Sequence, residues 1–263
     1  MEVSVSDGTN KGATASISVK RWAAWAPGVH SVEEWEDWAL GGFEYQVGEE
    51  TAPDVKAIPA MLRRRLSPLG KMALSVAWPL VGDSQSLPSV FCSRHGELER
   101  TVGMLKSLAE GESLSPTHFS LSVHNAIGGV YSIARKDPSA ITALAIGDEG
   151  FSQALVEAAL ILEEGQHQEV LCVIYDAPIP EIYSDASLIK VEPSKPYAAA
   201  FVLGQNSNKG ENDFTVSLVK QSISANEPLA VPDALEFIRF LLKDDDKTLL
   251  LSGKRHSWQW DKL

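Results

Sequence analysis

The stretch from Ser139 to Gly165 constrains the fold of this 263-residue chain more than any other. It begins with the apolar run 140–146, whose length and Ile/Thr content are typical of a buried strand. The sequence Gly-Asp-Glu-Gly at 147–150 interrupts that run, and from Phe151 onward apolar residues recur with the period of a helix. The pattern predicts a strand, a tight turn and a buried helix. Several enzyme folds lift a nucleophile to the tip of such a turn, beside the positive helix N-terminus.

Other apolar runs alternate with helical patterns along the chain, which favours a layered α/β domain. Continuous apolar runs predict strands that are covered on both faces of a sheet; they lie at 87–93, 140–146, 169–175 and 197–203. Residues 119–123 are also predicted to form a short strand. We expect residues 1–13 to be a flexible tail and residues 14–263 to form a single domain.

The net charge of −12 argues against a nucleic-acid-binding protein, because phosphate binding needs a basic surface. The one dense basic run is Arg63-Arg64-Arg65, inside a helical pattern. A solvated helix face is the favoured interpretation of this run, and a docking surface for an acidic partner is the alternative.

No apolar run approaches the roughly 18 residues that a membrane-spanning helix needs, and the N-terminal residues lack the order of a secretory signal. Cys92 and Cys172 each lie in an apolar, strand-like run, as reduced core cysteines of a cytoplasmic protein would. No Cys/His spacing indicates a metal site. The sequence predicts a cytoplasmic protein without a membrane span, metal or cofactor.

Several strings along the chain carry a resemblance to a known family. They are Leu66–Leu74, the glycine turn Ser93–Glu97, Ser115-Pro116-Thr117, Asn125–Gly129 and the strand-like Tyr197–Gly204. In order and spacing they resemble the N-terminal half of a β-ketoacyl synthase of the thiolase fold, over about residues 15–204. The resemblance implies half of a thiolase-like fold, with a mixed five-stranded sheet between helix layers.

The chain departs from that family at the positions of the catalytic residues. Counting back from Gly165 places Asp148 where the family has its acyl-accepting Cys, or Glu149 if the count is off by one. A carboxylate there cannot form the thioester that condensation requires. The family's second half, which supplies two histidines, is also missing. Only His256 lies beyond His167, so we expect the chain alone to lack catalytic activity.

A chain of this kind resembles the shortened ketosynthase-like subunits of type II polyketide systems, including those that make aryl polyenes. In those systems a chain-length factor without catalytic residues pairs with an active β-ketoacyl synthase, and the two strands that precede the nucleophile turn meet at the interface. The resemblance implies a heterodimer in polyketide or fatty acid biosynthesis, with an acyl carrier protein as a further partner. The implied partner interface comprises Ala140, Thr142, Ala143, Leu144, Ile146, Phe151 and Leu155. The implied acyl tunnel is lined by Asn125, Asp148, Glu149 and Phe151.

Two alternatives remain at this point. The chain could be a self-associating scaffold that uses the fold for interaction alone. It could also be an enzyme with other acyl chemistry, in which Asp148 and Glu149 act as acid and base with a nearby histidine, His95, His118 or His124. Acidic residues at a helix N-terminus are more often capping groups, however, and they complement the helix dipole.

Overall fold

A computed structural model describes residues 14–41, 52–83, 85–147, 149–183, 195–206, 212–219, 231–253 and 255–263. The strands are β1 (Thr14–Trp25), β2 (Ser89–Cys92), β3 (Ile141–Leu144), β4 (Glu169–Asp176), β5 (Tyr197–Gly204), β6 (Asp213–Val219), β7 (Thr248–Ser252) and β8 (Ser257–Lys262). The α-helices are α1 (Val32–Ala39), α2 (Ala60–Arg63), α3 (Pro68–Ala77), α4 (Leu98–Ala109), α5 (Pro116–Ser120), α6 (Ala126–Arg135), α7 (Gly150–Glu163) and α8 (Asp233–Leu242). Short 3₁₀ helices lie at Trp78–Leu80 and Glu181–Tyr183. The predicted tail 1–13 lies outside the described residues, and the single domain stays a prediction.

Within the described residues, the strands form one mixed sheet in the order β3-β2-β4-β5-β1-β6-β8-β7. The three strands at one end, β3, β2 and β4, are parallel, and every other pair is antiparallel. The predicted mixed α/β fold is confirmed, but the sheet has eight strands rather than five. The extra strands arise because β1 pairs on both sides and because the C-terminal residues form a hairpin that continues the sheet.

Each face of the sheet packs against its own layer of helices. Along β5, Ala199, Phe201 and Leu203 point into the core beneath α1, α7 and α8. The alternate residues Ala198, Ala200 and Val202 point into the core beneath α3 and α6. Successive side chains of a strand point to opposite faces, so an uninterrupted apolar run is what a sheet covered on both faces requires.

The stretch that most constrains the fold has the predicted strand, turn and helix. Helix α7 covers Gly150–Glu163, and Gly165 ends the turn that follows it with a φ of 73°, a left-handed value that glycine adopts without strain. The strand β3 is shorter than predicted and lies at an edge of the sheet, where it pairs with β2. All four of its residues are partly exposed.

One sequence prediction is wrong in type. Residues 119–123 were expected to form a strand, but Phe119 and Ser120 end the short helix α5. Ser115 caps that helix by accepting a hydrogen bond from the backbone N–H of His118, and Pro116 occupies its first position. This start signal sets the local structure, because a serine cap followed by proline favours a helix whatever the apolar pattern beyond it.

Candidate functional site

The candidate site lies where the three parallel strands β2, β3 and β4 end. In open α/β sheets the carboxyl ends of parallel strands form the usual crevice for ligands. Here that edge brings together the loop 93–96 after β2, residues 145–147 and Glu149 after β3, and Asp176 at the end of β4. Asp148, the residue placed at the nucleophile position, lies outside the described residues.

The side chain of Glu149 accepts hydrogen bonds from several parts of the chain. Its carboxylate is buried, and it makes no capping bond to its own helix although it occupies the N-cap of α7. Oε1 accepts hydrogen bonds from the backbone N–H groups of Arg255 and His256, both at 3.2 Å. Oε2 accepts from the indole Nε1 of Trp258 at 3.2 Å and from Gln153 Nε2 at 3.3 Å. The imidazole Nδ1 of His256 lies 3.3 Å from Oε2.

These contacts make Glu149 a fixed anion. Burial would raise the pKa of its carboxyl, but the hydrogen bonds from Trp258 and from the amides of Arg255 and His256 outweigh burial and hold that pKa below its usual value. A base with both oxygens committed to donors has little capacity left to take a proton from a substrate. The arrangement therefore favours a structural carboxylate over an acid–base catalyst.

The C-terminal hairpin β7–β8 supplies most of these donors. Beside Glu149 it also contributes Trp260, whose indole N–H donates to Ser152 Oγ at 3.2 Å in the first turn of α7. The turn of the hairpin approaches so closely that a Cβ on Gly253 would lie 2.2 Å from Glu149 Cγ. Sequence reasoning missed strand β8, although Trp258 and Trp260 are spaced two apart and would lie on one face of a strand.

The two cysteines are buried thiols, as the sequence predicted. Cys92 lies beneath the turn, with Sγ 3.5 Å from the carbonyl oxygen of Gly150. Burial, with a further contribution from the Asp176 carboxylate, raises the pKa of Cys92 to about 12. Burial also raises the pKa of Cys172 well above its usual value. Neither residue has the lowered pKa and the access to solvent that a nucleophilic cysteine needs.

Asp176 forms a second polar centre at this edge. Its Oδ1 accepts hydrogen bonds from Ser93 Oγ at 2.9 Å and from the backbone N–H of Arg94 at 2.8 Å. Burial raises the pKa of the Asp176 carboxyl to about 6, although those hydrogen bonds and the nearby His95 oppose the rise. This carboxyl organises the loop after β2.

The histidines proposed for an acid–base site lie apart from Glu149 or serve other contacts. His95 belongs to the loop that surrounds Asp176, and His118 is exposed on α5. His124 Nε2 lies 2.8 Å from the carbonyl oxygen of Leu144, which ties the loop before α6 to the end of β3. The histidine that contacts Glu149 is His256, which sequence reasoning had not placed there.

The residues assigned to a partner interface or tunnel separate into two groups. Ala140 is exposed, and Thr142, Ala143, Leu144 and Ile146 are partly exposed along the sheet edge; Asn125 is exposed at the start of α6. Phe151 and Leu155 are instead 4% and 0% exposed. Phe151 packs in the chain's own core, with its ring centroid 5.0 Å from that of Phe237 and 5.7 Å from that of Trp260. The chain itself covers Phe151 and Leu155, and their assignment to a partner surface or tunnel wall stays a prediction.

The described residues contain neither a metal-ligand cluster nor a membrane-spanning helix. Among those residues no group of three or more His, Cys, Asp or Glu side chains is arranged to hold a metal ion. No helix in the described part of the chain is both long enough and apolar enough to cross a bilayer.

Solved structures show what this chain is similar to. A chain in "Ketosynthase (ApeO) in Complex with its Chain Length Factor (ApeC) from Xenorhabdus doucetiae" is 32% identical, with a TM-score of 0.78; the match covers 94% of this chain and 99% of that chain. The ishigamide ketosynthase/chain length factor matches with 13% identity and a TM-score of 0.57, over 78% of this chain and 66% of that chain. A type II polyketide synthase ketosynthase complex with its acyl carrier protein, AntDE:AntF, matches with 12% identity and a TM-score of 0.64, over 95% and 100%. The last two likenesses show the fold alone.

The family comparison agrees with the fold. No curated protein sequence matches the chain. Residues 35–261, most of the chain, match the family described as "Beta-ketoacyl synthase, N-terminal domain". The chain belongs to the family of β-ketoacyl synthase N-terminal domains, with a thiolase-like fold.

Proposed function

We propose that this chain is a non-catalytic subunit of the chain-length-factor type, which pairs with an active β-ketoacyl synthase and shapes its acyl tunnel. One observation carries the proposal: a nearly full-length match, at 32% identity, to a chain from a complex of a ketosynthase with its chain length factor. The sequence resemblance supports a polyketide system of the aryl polyene type, with fatty acid biosynthesis as the alternative pathway. Localisation in the cytoplasm stays a prediction.

The chemistry of the turn supports a non-catalytic role. Condensation needs a thiolate that can carry an acyl group, and the turn sequence Gly-Asp-Glu-Gly contains no cysteine. Cys92 is close by, but it is buried and its pKa is raised to about 12. The carboxylate of Glu149 is held by donors from the hairpin, so the alternative of an acid–base enzyme has little support.

The edge strand β3 supports a partner interface. Within the described residues its only strand neighbour is β2, so its other edge presents unpaired backbone groups. Proteins normally cover an edge of this kind, because it pairs readily with other chains. A second chain of the same fold, offering its own equivalent strand, would complete the sheet across a pseudo-two-fold axis.

Exposed apolar side chains on α4, α5 and the following loop add to the proposed interface. Leu105, Leu108, Phe119 and Val123 are 52%, 53%, 61% and 42% exposed. In helix α4 only Val102 is buried, although the helix is amphipathic. The loop that follows α5 is tied to β3 through His124 and the Leu144 carbonyl. We therefore extend the proposed interface from β3 onto these four side chains, which together form the α4–α5 surface.

Further partners and contacts belong to the same proposal. An acyl carrier protein would deliver the growing chain to the pair, and the AntDE:AntF structure contains a carrier protein with its ketosynthase. Among the predicted tunnel residues that the structure describes, Asn125 is exposed, and we include it in the surface that would face a partner. The side chains of Arg64 and Arg65 are exposed, which fits either a solvated helix face or docking of an acidic partner.

Co-expression with a full-length ketosynthase tests the pairing. The variant Ala143→Asp places a charge in the middle of β3, and we expect it to abolish co-purification, because an unpaired carboxylate buried in an interface costs several kcal/mol. The matched control is Leu250→Asp on β7, the strand at the opposite edge of the sheet, where Leu250 is 50% exposed. That control should co-purify as well as the wild type.

The same experiment distinguishes the proposed ketosynthase subunit from the alternative of a self-associating scaffold. If the wild-type chain binds no ketosynthase but self-associates, and Ala143→Asp abolishes the self-association, the self-associating scaffold becomes the better account. If Ala143→Asp leaves a ketosynthase complex intact, the assignment of β3 to the interface is wrong.

A further inference from the structure

We propose that the outer edge of β7 pairs with the same edge of a second copy of this chain, antiparallel and across a two-fold axis at Leu250. Strand β7 lies at the end of the sheet opposite β3, and among the described residues its only strand neighbour is β8. The edge assigned above to a ketosynthase is β3. Pairing through β7 therefore uses a separate surface, and it does not rest on the proposed function.

The hydrogen bonds of the β7–β8 hairpin show which backbone groups of β7 are left for a partner. The N–H of Lys262 donates to the carbonyl of Lys247 at 3.0 Å, and the N–H of Gly253 donates to the carbonyl of His256 at 2.9 Å. In an antiparallel pair, residues that bond to the neighbouring strand alternate with residues whose N–H and C=O point away from it. The residues of β7 that point away from β8 are Thr248, Leu250 and Ser252.

A second β7 that runs antiparallel meets all of these groups in one register. With Leu250 opposite its own copy and Thr248 opposite Ser252, each outward N–H faces an outward C=O, as in the hydrogen-bonded pairs of a ladder. A shift of one residue would set outward groups against groups already bonded to β8. A shift of two would leave Thr248 or Ser252 beyond the end of the partner strand.

The side chains of β7 suit this contact. The strand reads Thr-Leu-Leu-Leu-Ser and contains no charged residue, although charges and prolines are common devices that protect a free edge. Leu250 is 50% exposed, whereas Leu251 is 1% exposed and points into the core beneath α8. Two copies of Leu250 directly opposite each other would form an apolar cross-strand pair on the open face of the sheet.

Charges that flank β7 favour the antiparallel arrangement. The exposed run Asp244-Asp245-Asp246 precedes the strand, and exposed Arg255 follows it. In an antiparallel pair the beginning of one strand lies beside the end of the other. The acidic run of each copy would then lie near Arg255 of the other copy, whereas a parallel pair would set the two acidic runs side by side. Because these charges are exposed, salt should weaken the attraction.

The size of the contact sets its expected strength. Strand β7 has five residues, so pairing buries less surface than the roughly 1,200–2,000 Å² of a standard protein–protein interface. We therefore expect a reversible dimer that dissociates on dilution and at high salt.

Sedimentation velocity of the full chain alone measures this dimer. Leu250→Asp sets two carboxylates opposite each other at the axis, and we expect it to weaken dimerisation about tenfold or more. The matched control is Leu160→Asp on α7, where the side chain is also 50% exposed; it should dimerise like the wild type. Circular dichroism and the melting temperature establish that each variant is folded.

A cysteine pair tests the register. In Leu250→Cys the two Cα atoms would lie about 5.5 Å apart, within the range that a disulfide spans, so mild oxidation should link the copies. The matched control is Thr248→Cys on the same edge. Its two copies would lie about 13 Å apart along the strands, too far for a disulfide. The native cysteines Cys92 and Cys172 are buried.

The proposal is supported if Leu250→Asp separates a dimer that Leu160→Asp keeps, and if Leu250→Cys cross-links where Thr248→Cys does not. It fails if the wild-type chain stays monomeric up to about 1 mM, or if a folded Leu250→Asp variant still dimerises. If Leu250→Asp does not fold, the cross-linking result decides, and equal linking of both cysteine variants overturns the register. Dissociation by Ala143→Asp alone would place the contact on β3 instead and also refute the proposal.

Discussion

At the scale of single residues, the hydrogen bonds of Glu149 determine which chemistry the turn after β3 can perform. A carboxylate at the end of this turn could serve as a base, a nucleophile or a helix cap, and its oxygens are engaged instead by donors from the C-terminal hairpin. Glu149 therefore links two distant parts of the chain. Its contribution to folding depends on the carboxyl being ionised.

A pH titration of stability measures that contribution. The pKa of Glu149 in the folded state lies below its ordinary value of 4.5, so the stability that its ionisation contributes is fully present above about pH 4.5 and is lost as the pH falls through the folded-state pKa. We expect Glu149→Gln to lower the free energy of unfolding by about 1–3 kcal/mol at neutral pH. The difference from the wild type should shrink in urea unfolding below about pH 4.5. A constant difference over the whole range would contradict the assignment.

Phe151 gives a second residue-scale prediction. Its ring lies in an aromatic cluster with Phe201, Phe237 and Trp260, so Phe151→Ala should lower the free energy of unfolding by about 3–5 kcal/mol through the cavity it leaves. Urea denaturation checks this, with Leu160→Ala on the exposed face of the same helix as a nearly neutral control. If a stable complex of Phe151→Ala with a ketosynthase made longer polyketide products than the wild type, that result would support a place for Phe151 in the acyl tunnel.

At the scale of elements, the sequence predicted those strands and helices that are determined by a local pattern of apolar residues. The runs that became β4 and β5 are continuously apolar because both faces of the sheet are covered, and α7 has a clear helical period. The short helix α5 escaped prediction because a serine cap outweighed the apolar residues after it. Strand β8 escaped because its alternation is partly polar and its docking partner, Glu149, is distant in sequence.

The α4–α5 surface supports a prediction at the same scale. Leu105→Asp and Phe119→Asp should each weaken pairing with a ketosynthase about tenfold or more, because apolar side chains central to an interface carry much of its binding energy. Neither should change the melting temperature of the isolated chain by much, since both side chains are about half exposed. Titration by biolayer interferometry measures the affinity. Leu40→Asp, at an exposed site after α1, is the control. Unchanged affinity in both variants would confine the interface to β3.

At the scale of the whole molecule, the chain has a thiolase-like fold, and both of its cysteines are buried. The sequence predicted the family, but it predicted residues 140–146 as a strand covered on both faces, whereas β3 is partly exposed at an edge of the sheet. It could not show that Phe151 and Leu155 face inward, because a helix that packs on a sheet and one that packs on a partner have the same apolar period. It also could not show the contacts of Glu149, since long-range contacts leave no local pattern.

Intact-protein mass spectrometry of the reconstituted pair tests the central claim most directly. The chain and a ketosynthase are incubated with acyl-loaded carrier protein and malonyl units, together and separately, and the mass of each subunit is recorded. We predict an acyl adduct on the ketosynthase alone, and condensation products that require both chains. An acyl adduct on this chain that disappears in a Cys92→Ala, Cys172→Ala variant would contradict the account, as would full condensation by the ketosynthase without it.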